Sequence, residues 1–341
     1  MKKAFVGFGE LLVRLAPSGY LRFPQAENFT VNYTGAEGNM AIALAYMGVP
    51  AKLVTKLPDN DIGRCAMRKL AAYSVDTSHI LWGGDRIGLY YLERGASQRP
   101  SKIIYDRAHS AIAEAAPEEY NWDEIFKDAG WFHFTGITAG LSDSAAECCL
   151  QACQAAKRNG VKISCDLNYR KYLWSPEKAQ SVMRPLMKYV DVLIANEEDS
   201  DKVLGIRAEG ADVDAGKVDA DSYGALAHKL IDTFGFEKVS ITLRESISAS
   251  VNGWSGILCD GKTVYRSQKY MIQLVDRIGG GDSFASGLIY GFLNDYCDQE
   301  ALEYAVAASC LKQTIEFDFN LSSVEEVRNL MKGNGSGRVV R

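Results

Sequence analysis

Asp276-Arg277-Ile278-Gly279-Gly280-Gly281-Asp282-Ser283-Phe284-Ala285-Ser286-Gly287 is the stretch on which the reading of this chain turns. A strand-like run ends near Val275, three glycines follow, and Phe284, Leu288 and Phe292 then recur at the four-residue spacing of an amphipathic helix. The glycines therefore stand at a helix N-terminus. There the first backbone N–H groups have no intrahelical partner, the helix dipole adds positive potential, and residues without a Cβ let an anion come close to the main chain. Asp282 has two readings. It caps those N–H groups, or it stands beside an anion that they hold, where a carboxylate can take a proton from an attacking hydroxyl.

A glycine triplet before a helix is also what a tight turn requires, so the rest of the chain has to decide. Upstream, the apolar run 161–167 ends in Asp166-Leu167-Asn168-Tyr169-Arg170, and the run 190–195 ends in Asn196-Glu197-Glu198-Asp199. Strand ends followed by polar loops are where open parallel α/β sheets bind ligands. Further out, 238–243 reads as another strand and 251–265 as a hairpin turning at Asp260-Gly261; helices are expected at about 299–313 and 324–332. Toward the N-terminus, 4–15 reads as one strand, with Gly7, Gly9 and Glu10 leaving room for something to approach its end. A tightly packed helix over 34–48 is entered through Gly35, Gly38 and Asn39 and stopped by Gly48. Strands at 51–57 and 132–136, a turn at 58–63 into a helix at 64–73, and a helix opened by residues 137–142 continue the alternation. Repeated strand and helix imply an α/β fold, a doubly wound, mostly parallel sheet flanked by helices, formed by one domain over 1–332. Two β-rich segments, 12–34 and 86–107, interrupt that rhythm and are expected to form a small lid. The segment 205–221 reads as a polar surface insertion without chemistry, and the glycine-rich, basic 333–341 as a mobile tail.

With 341 residues, 47% hydrophobic and 24% charged, the chain can bury a large core, which excludes general disorder. A net charge of −5 with scattered Lys and Arg leaves no basic field, so nucleic acid is not an expected partner. No apolar run approaches the ~20 residues that cross a bilayer, and the N-terminal apolar run is broken too early for a signal peptide. Eight cysteines without framework spacing suit reduced thiols in a cytoplasmic protein. Cys149 and Cys153 have helical i, i+4 spacing but no further ligand nearby, which favours packing over a metal.

The spacing Asp-x-x-Gly-x-Gly-Asp at 276–282 resembles the C-terminal signature of ribokinase-like sugar kinases, the phosphofructokinase B type. The resemblance runs from about residue 5 to about 330, with its motifs in the family's order. It implies that Gly279, Gly280 and Gly281 form an anion hole for the transferred phosphoryl group and that Asp282 is the catalytic base. The 34–48 helix is similar to the family's N-terminal motif, which implies sugar contacts from Gly35 and Asn39, with Ala36 where a second glycine is usual. Asn168, Asn196, Thr242 and Arg244 fall at nucleotide-site positions, and Asp199 stands where a glutamate reaches magnesium through water. The implied cofactors are ATP and Mg²⁺, with a monovalent cation in some relatives and a homodimer through the lid.

Two departures stand out. Arg244-Glu245-Ser246-Ile247-Ser248 replaces a glycine-bearing nucleotide loop, and Arg277 stands where Thr is common, so that a guanidinium is expected in place of the ion. The segments around Tyr90, Tyr105-Asp106-Arg107 and Asp166 to Arg170 look most like those of 2-keto-3-deoxygluconate kinases, which would make the product the 6-phosphate. A carboxylate under a lid needs a fixed cation, and a guanidinium offers two parallel hydrogen bonds. If Arg107 and Arg170 instead pair with Asp106 or Asp166, a fructokinase-like or other neutral-sugar activity is favoured. A sugar-binding sensor that has lost nucleotide chemistry is the alternative of a different class. A Rossmann dehydrogenase fits less well, because its glycine fingerprint follows an early strand.

Overall fold

Five consecutive buried residues, Ala4–Phe8, form β1, and a strand without a polar face belongs inside a sheet covered on both sides. The computed structural model describes residues 3–196, 198–207 and 220–335. Most of the expected insertion at 205–221, the end of the expected tail and Glu197 lie outside the described residues. After β1 come β2 (Leu12–Ala16), β3 (Thr30–Thr34), β4 (Ala51–Leu57), β5 (Ile80–Trp82), β6 (Gly88–Glu93) and β7 (Lys102–Asp106). The second half supplies β8 (Ala129–Thr135), β9 (Lys162–Asp166), β10 (Val192–Ala195) and β11 (Lys238–Ser246), then β12 (Val251–Cys259), β13 (Val264–Arg266) and β14 (Tyr270–Gln273). Ten of these make the main sheet, in the order β13-β12-β11-β10-β9-β8-β1-β4-β5, with β14 also on β12. From β5 to β11 every neighbour is parallel, and β12 begins an antiparallel edge.

The chain winds outward from β1 in both directions, through β4 and β5 on one side and β8 to β11 on the other. The reversal lies between β1 and β8, and the crevice at the carboxyl ends there is where such sheets take ligands. Helices cover both faces. Cys148, Cys149 and Cys153, on the helix Asp143–Arg158, are fully buried with Cys165 in one of the two large cores, and burial pushes the Cys148 thiol up to about 12. No group of His, Cys, Asp or Glu among the described residues could enclose a metal ion. No described helix is long and apolar enough to cross a membrane.

The expected single strand at 4–15 is two strands in two sheets. The chain leaves the main sheet after Phe8 and enters the lid at Leu12. A Cβ on Gly9 would lie 2.0 Å from the Glu37 carboxylate, so the approach that the glycines permit is made by the helix Ala36–Tyr46. The apolar pattern continues through the crossing, which is why the sequence does not reveal it.

The lid is a four-stranded sheet, β3-β2-β6-β7. Leu12, Ala16, Tyr90 and Leu92 on its inner face pack with Ile103, Tyr105 and Ile278, the last from the loop ahead of the glycines. The lid therefore closes on the glycine loop itself.

Candidate active site

The helix Gly280–Leu293 begins at Gly279, whose φ of 79° is in the left-handed region. A Cβ there would also stand 2.1 Å from the Asp318 carbonyl oxygen. Glycine is required on both counts. Gly280 is held from behind by Ser309, whose hydroxyl donates to its carbonyl at 2.7 Å. Gly281 is different: nothing lies within 4 Å of a Cβ placed on it. It faces the cavity. The amides of Gly280 and Ser283 bond to the carbonyls of Arg277 and Gly279, whereas those of Gly281 and Asp282 meet no acceptor among the described residues. Two unsatisfied donors at a helix N-terminus beside an open cavity are the arrangement that favours an anion.

The cavity measures about 1230 Å³ and runs along the carboxyl ends of the central strands under the lid. That exceeds the roughly 300–1,000 Å³ of a pocket for one drug-sized ligand, so it has room for two reactants. Gly35, Asn39, Tyr90, Tyr105, Arg107, Asn168, Arg170, Asn196, Thr242, Arg244 and the 279–282 loop all line it. Asp199 does not. Its Oδ1 accepts from the Tyr169 amide at 3.1 Å and its Oδ2 from the Asn196 amide at 3.4 Å, so it braces the loops around Asn168 and Asn196.

Asp282 accepts a 2.6 Å hydrogen bond from Asn39 Nδ2. Burial raises its carboxyl to about 6, against the pull of that hydrogen bond, with the Asp318 charge adding to the rise. A carboxylate tuned toward neutrality is suited to accept a proton and release it again. Glu37, on the floor of the cavity, was not singled out from the sequence. Its Oε1 accepts from the Thr135 amide (2.9 Å) and from the Thr135 and Thr138 hydroxyls (2.8 Å each). Burial still pushes it up to about 7. Asp166 is raised well above the carboxylate range by burial, then by Asp199 and Asp282.

The two candidate acid-binding arginines differ. Arg107 is buried and donates through Nε (2.7 Å) and a terminal nitrogen to Glu10, over the ring of Tyr105. Asp106, its expected competitor, pairs with Arg86. The partner Glu10 lies 97 positions away in sequence, beyond any local signal. Arg170 has no carboxylate within 4.0 Å among the described residues; it donates only to the Tyr169 carbonyl at 3.3 Å, and its buried Nε has no partner.

At the end of the cavity bordered by β10 and β11, Asn196 Oδ1 accepts from the amides of Glu198 (2.9 Å) and Asp199 (3.1 Å), which fixes its side chain at the end of β10. The expected loop after residue 243 is strand: β11 continues to Ser246, paired with β12 through Arg244–Trp254 and Ser246–Asn252. A paired strand has no use for loop glycines, which accounts for their absence. A cation that the sequence does not single out also stands at the base of the glycine loop. Lys312 Nζ, fully buried, donates to the carbonyls of Asp276 (3.0 Å) and Ile315 (3.5 Å), so this ammonium braces the base of the loop.

Residues 6–314 match the model of the pfkB family of carbohydrate kinases. The chain is 34% identical, over 99% of both chains, to a 2-dehydro-3-deoxygalactonokinase of Haloferax volcanii. It is 28% identical, over 96% of its length and 94% of the relative's, to a 2-dehydro-3-deoxygluconokinase of Thermoproteus tenax. A crystal structure of a 2-dehydro-3-deoxygluconokinase of Thermotoga maritima superposes with a TM-score of 0.94 at 49% identity, covering 97% of this chain and all of the other.

Proposed function

The chain belongs to the pfkB family of carbohydrate kinases and is a phosphotransferase with an alcohol group as acceptor; from that premise we propose that it phosphorylates a 2-keto-3-deoxy sugar acid of the gluconate or galactonate type at its 6-hydroxyl, with ATP as donor. The observation that carries the acid is Arg170, a guanidinium on the cavity wall with a buried N–H unpartnered and no carboxylate at ion-pair distance among the described residues. A neutral sugar would leave that donor unmet, at a cost of ~1–3 kcal/mol. A substrate carboxylate meets it. Arg107, already neutralised by Glu10, contributes shape and a hydrogen-bonding edge beside Tyr105 more than charge.

In this reading the sugar lies between the lid and the helix Ala36–Tyr46, with its 6-hydroxyl at Asp282. Asp282 takes the hydroxyl proton as the oxygen attacks the γ-phosphorus. The amides of Gly281 and Asp282 receive the equatorial oxygens of the transferring group, where charge is concentrated. Leu12, Tyr90 and Ile103 on the inner face of the lid keep water from that group, which suppresses hydrolysis of the donor. Magnesium, bound with the nucleotide, supplies neutralisation of phosphate charge. The residues fit it as an outer shell: Asp166 is a desolvated carboxylate at the cavity wall beside Asp199, yet no described cluster could enclose an ion without the phosphates. We further propose that two copies associate through the outer face of the lid.

The test of the substrate is kcat/KM for 2-keto-3-deoxygluconate and for fructose, in wild type and Arg170→Ala. The acid should lose on the order of 1.5–3 kcal/mol, the value of one charge-assisted contact, and fructose much less. Equal losses would place Arg170 on the nucleotide, and a wild type that prefers fructose would reject the sugar acid.

A further inference from the structure

Asp318 stands where three parts of the molecule meet, and nothing in its local sequence marks it. It is buried, beyond the C-terminal end of the helix Asp298–Lys312. Its carbonyl oxygen is the atom that excludes a side chain at Gly279. Its carboxylate receives one side chain from each of three lid strands: Arg14 of β2, Tyr90 of β6 through its hydroxyl at 2.7 Å, and Thr34 of β3 through its hydroxyl at 2.6 Å. The residue before it, Phe317, holds a φ of 65° without being glycine, and its ring lies 5.5 Å from the Arg14 guanidinium. Such a conformation costs of order 1–3 kcal/mol and persists where the surroundings over-determine it.

The chain of contacts does not end at Asp318. Thr34 Oγ1 lies 2.9 Å from Asn39 Oδ1, and Asn39 Nδ2 donates to Asp282. The Thr34 hydroxyl thus shares its single proton between Asp318 and Asn39. Its other role follows from geometry. The oxygen end of the Asn39 amide has only that hydroxyl and the Gly35 amide, at 3.4 Å, to hold it, so Thr34 decides whether the nitrogen end stays on Asp282.

We propose that Asp318 and Thr34 are positioning residues that tie the orientation of the Asp282 carboxylate to the seated lid. With the lid down, Arg14, Tyr90 and Thr34 are all on Asp318, and Asn39 is locked onto the base. With the lid lifted, β3 carries Thr34 away from both Asp318 and Asn39, the Asn39 amide is free to turn, and the base is no longer aligned. The base is thereby competent only when the cavity is closed, which limits attack by water on an exposed donor. This rests on Asp282 being the base.

The test is the single-turnover rate as a function of pH for wild type, Thr34→Val, Thr34→Ser and Asp318→Asn, with Asp282→Asn as reference. Asp282 is faced by Asp318, Arg170 and Lys312, with Glu37 and Asp166 also coupled to it. All of these stay in place in the Thr34 variants. Thr34→Val should slow the step about 10- to 100-fold, the loss expected from misplacing a reacting group by about an ångström. It should also move the acid limb of the profile upward, because the Asn39 hydrogen bond is what draws Asp282 down. Thr34→Ser should restore both, and Asp318→Asn should slow the step as Thr34→Val does, while the loss of the Asp318 charge draws its limb the other way. A Thr34→Val profile that superimposes on wild type overturns the proposal, as does a slower rate with an unmoved limb or a serine that fails to rescue. Thr34→Val changes no charge, so it decides the question if Asp318→Asn does not fold. Asp282→Asn with near-normal turnover would refute the base itself; inactive Asp282→Asn beside a normal Thr34→Val refutes only the coupling.

Discussion

At the scale of single residues, the chemistry and the stability of this protein pull Asp282 in opposite directions. Its carboxyl is raised from 3.8 to about 6 by burial, so the folded state holds the proton more tightly than the unfolded chain does. A group shifted this way makes the folded state lose stability as pH rises through the window from about 4 to about 6, and above it the charged carboxylate is a standing cost. Asp282→Asn removes the cost together with the proposed base. Turnover should fall roughly 10²–10⁴-fold while sugar binding is mostly kept. Thermal stability at pH 7.5 should rise, by at most roughly 3 kcal/mol for a two-unit shift, with no difference from wild type at pH 4. Calorimetry at the two pH values checks the sign. A variant that is destabilised at pH 7.5 would mean that the carboxylate is a helix cap, and near-normal turnover would mean that it is not the base.

At the scale of the element, the start of the helix Gly280–Leu293 separates a glycine needed for folding, Gly279, from one proposed to serve function, Gly281. Gly279→Ala puts a Cβ into the Asp318 carbonyl and strains a left-handed backbone, so it should destabilise the protein strongly, with lost soluble yield as the readout. Gly281→Ala meets no protein atom and replaces glycine in a first helical turn, so its Tm should be equal to or above wild type. Its ATP-dependent turnover should nevertheless fall, because the new methyl group projects to where the phosphoryl oxygens must reach the amides. Unchanged kinetics in a stable Gly281→Ala enzyme would remove the phosphate cradle. This element was legible in the sequence because everything that defines it is local: the glycine run, the helical period and the acid in the first turn. The strand ends at Asp166 and Asn196 were legible for the same reason. Glu10, Lys312 and Asp318 were not. Each acts through partners distant in sequence, Arg14 and Asp318 being 304 positions apart, and a lone acid or lysine in an apolar stretch carries no local mark of the partner it will meet.

At the scale of the whole molecule, the lid is a thin sheet with a problem on its outer side. A four-stranded sheet packed on one face should alternate apolar and polar residues, so that the other face meets water. The lid does not. The register sets Val31 opposite Leu15, Leu15 opposite Tyr91 and Tyr91 opposite Ile104, an apolar row across all four strands on the face opposite Leu12, Tyr90 and Ile103. Phe29 adds its ring edge-on to Tyr91. Val31 and Ile104, at the two ends of the row, are 55% and 46% exposed, which is where a second surface would have to cover them. Contiguous exposed apolar rows of this kind mark interaction sites, and a second copy of the lid offers a matching row under twofold symmetry. Val31→Lys with Ile104→Lys would set like charges against each other across such an interface without substituting the inner face of the lid, although Ile104 also borders the cavity. Sedimentation at micromolar concentration should show a dimer for wild type and a monomer for the double variant. If the partner lid also steadies the seated position, the KM for the sugar should rise in the monomer more than kcat falls. A wild type that sediments as a monomer, or a double variant that remains a dimer, would reject the lid as the interface.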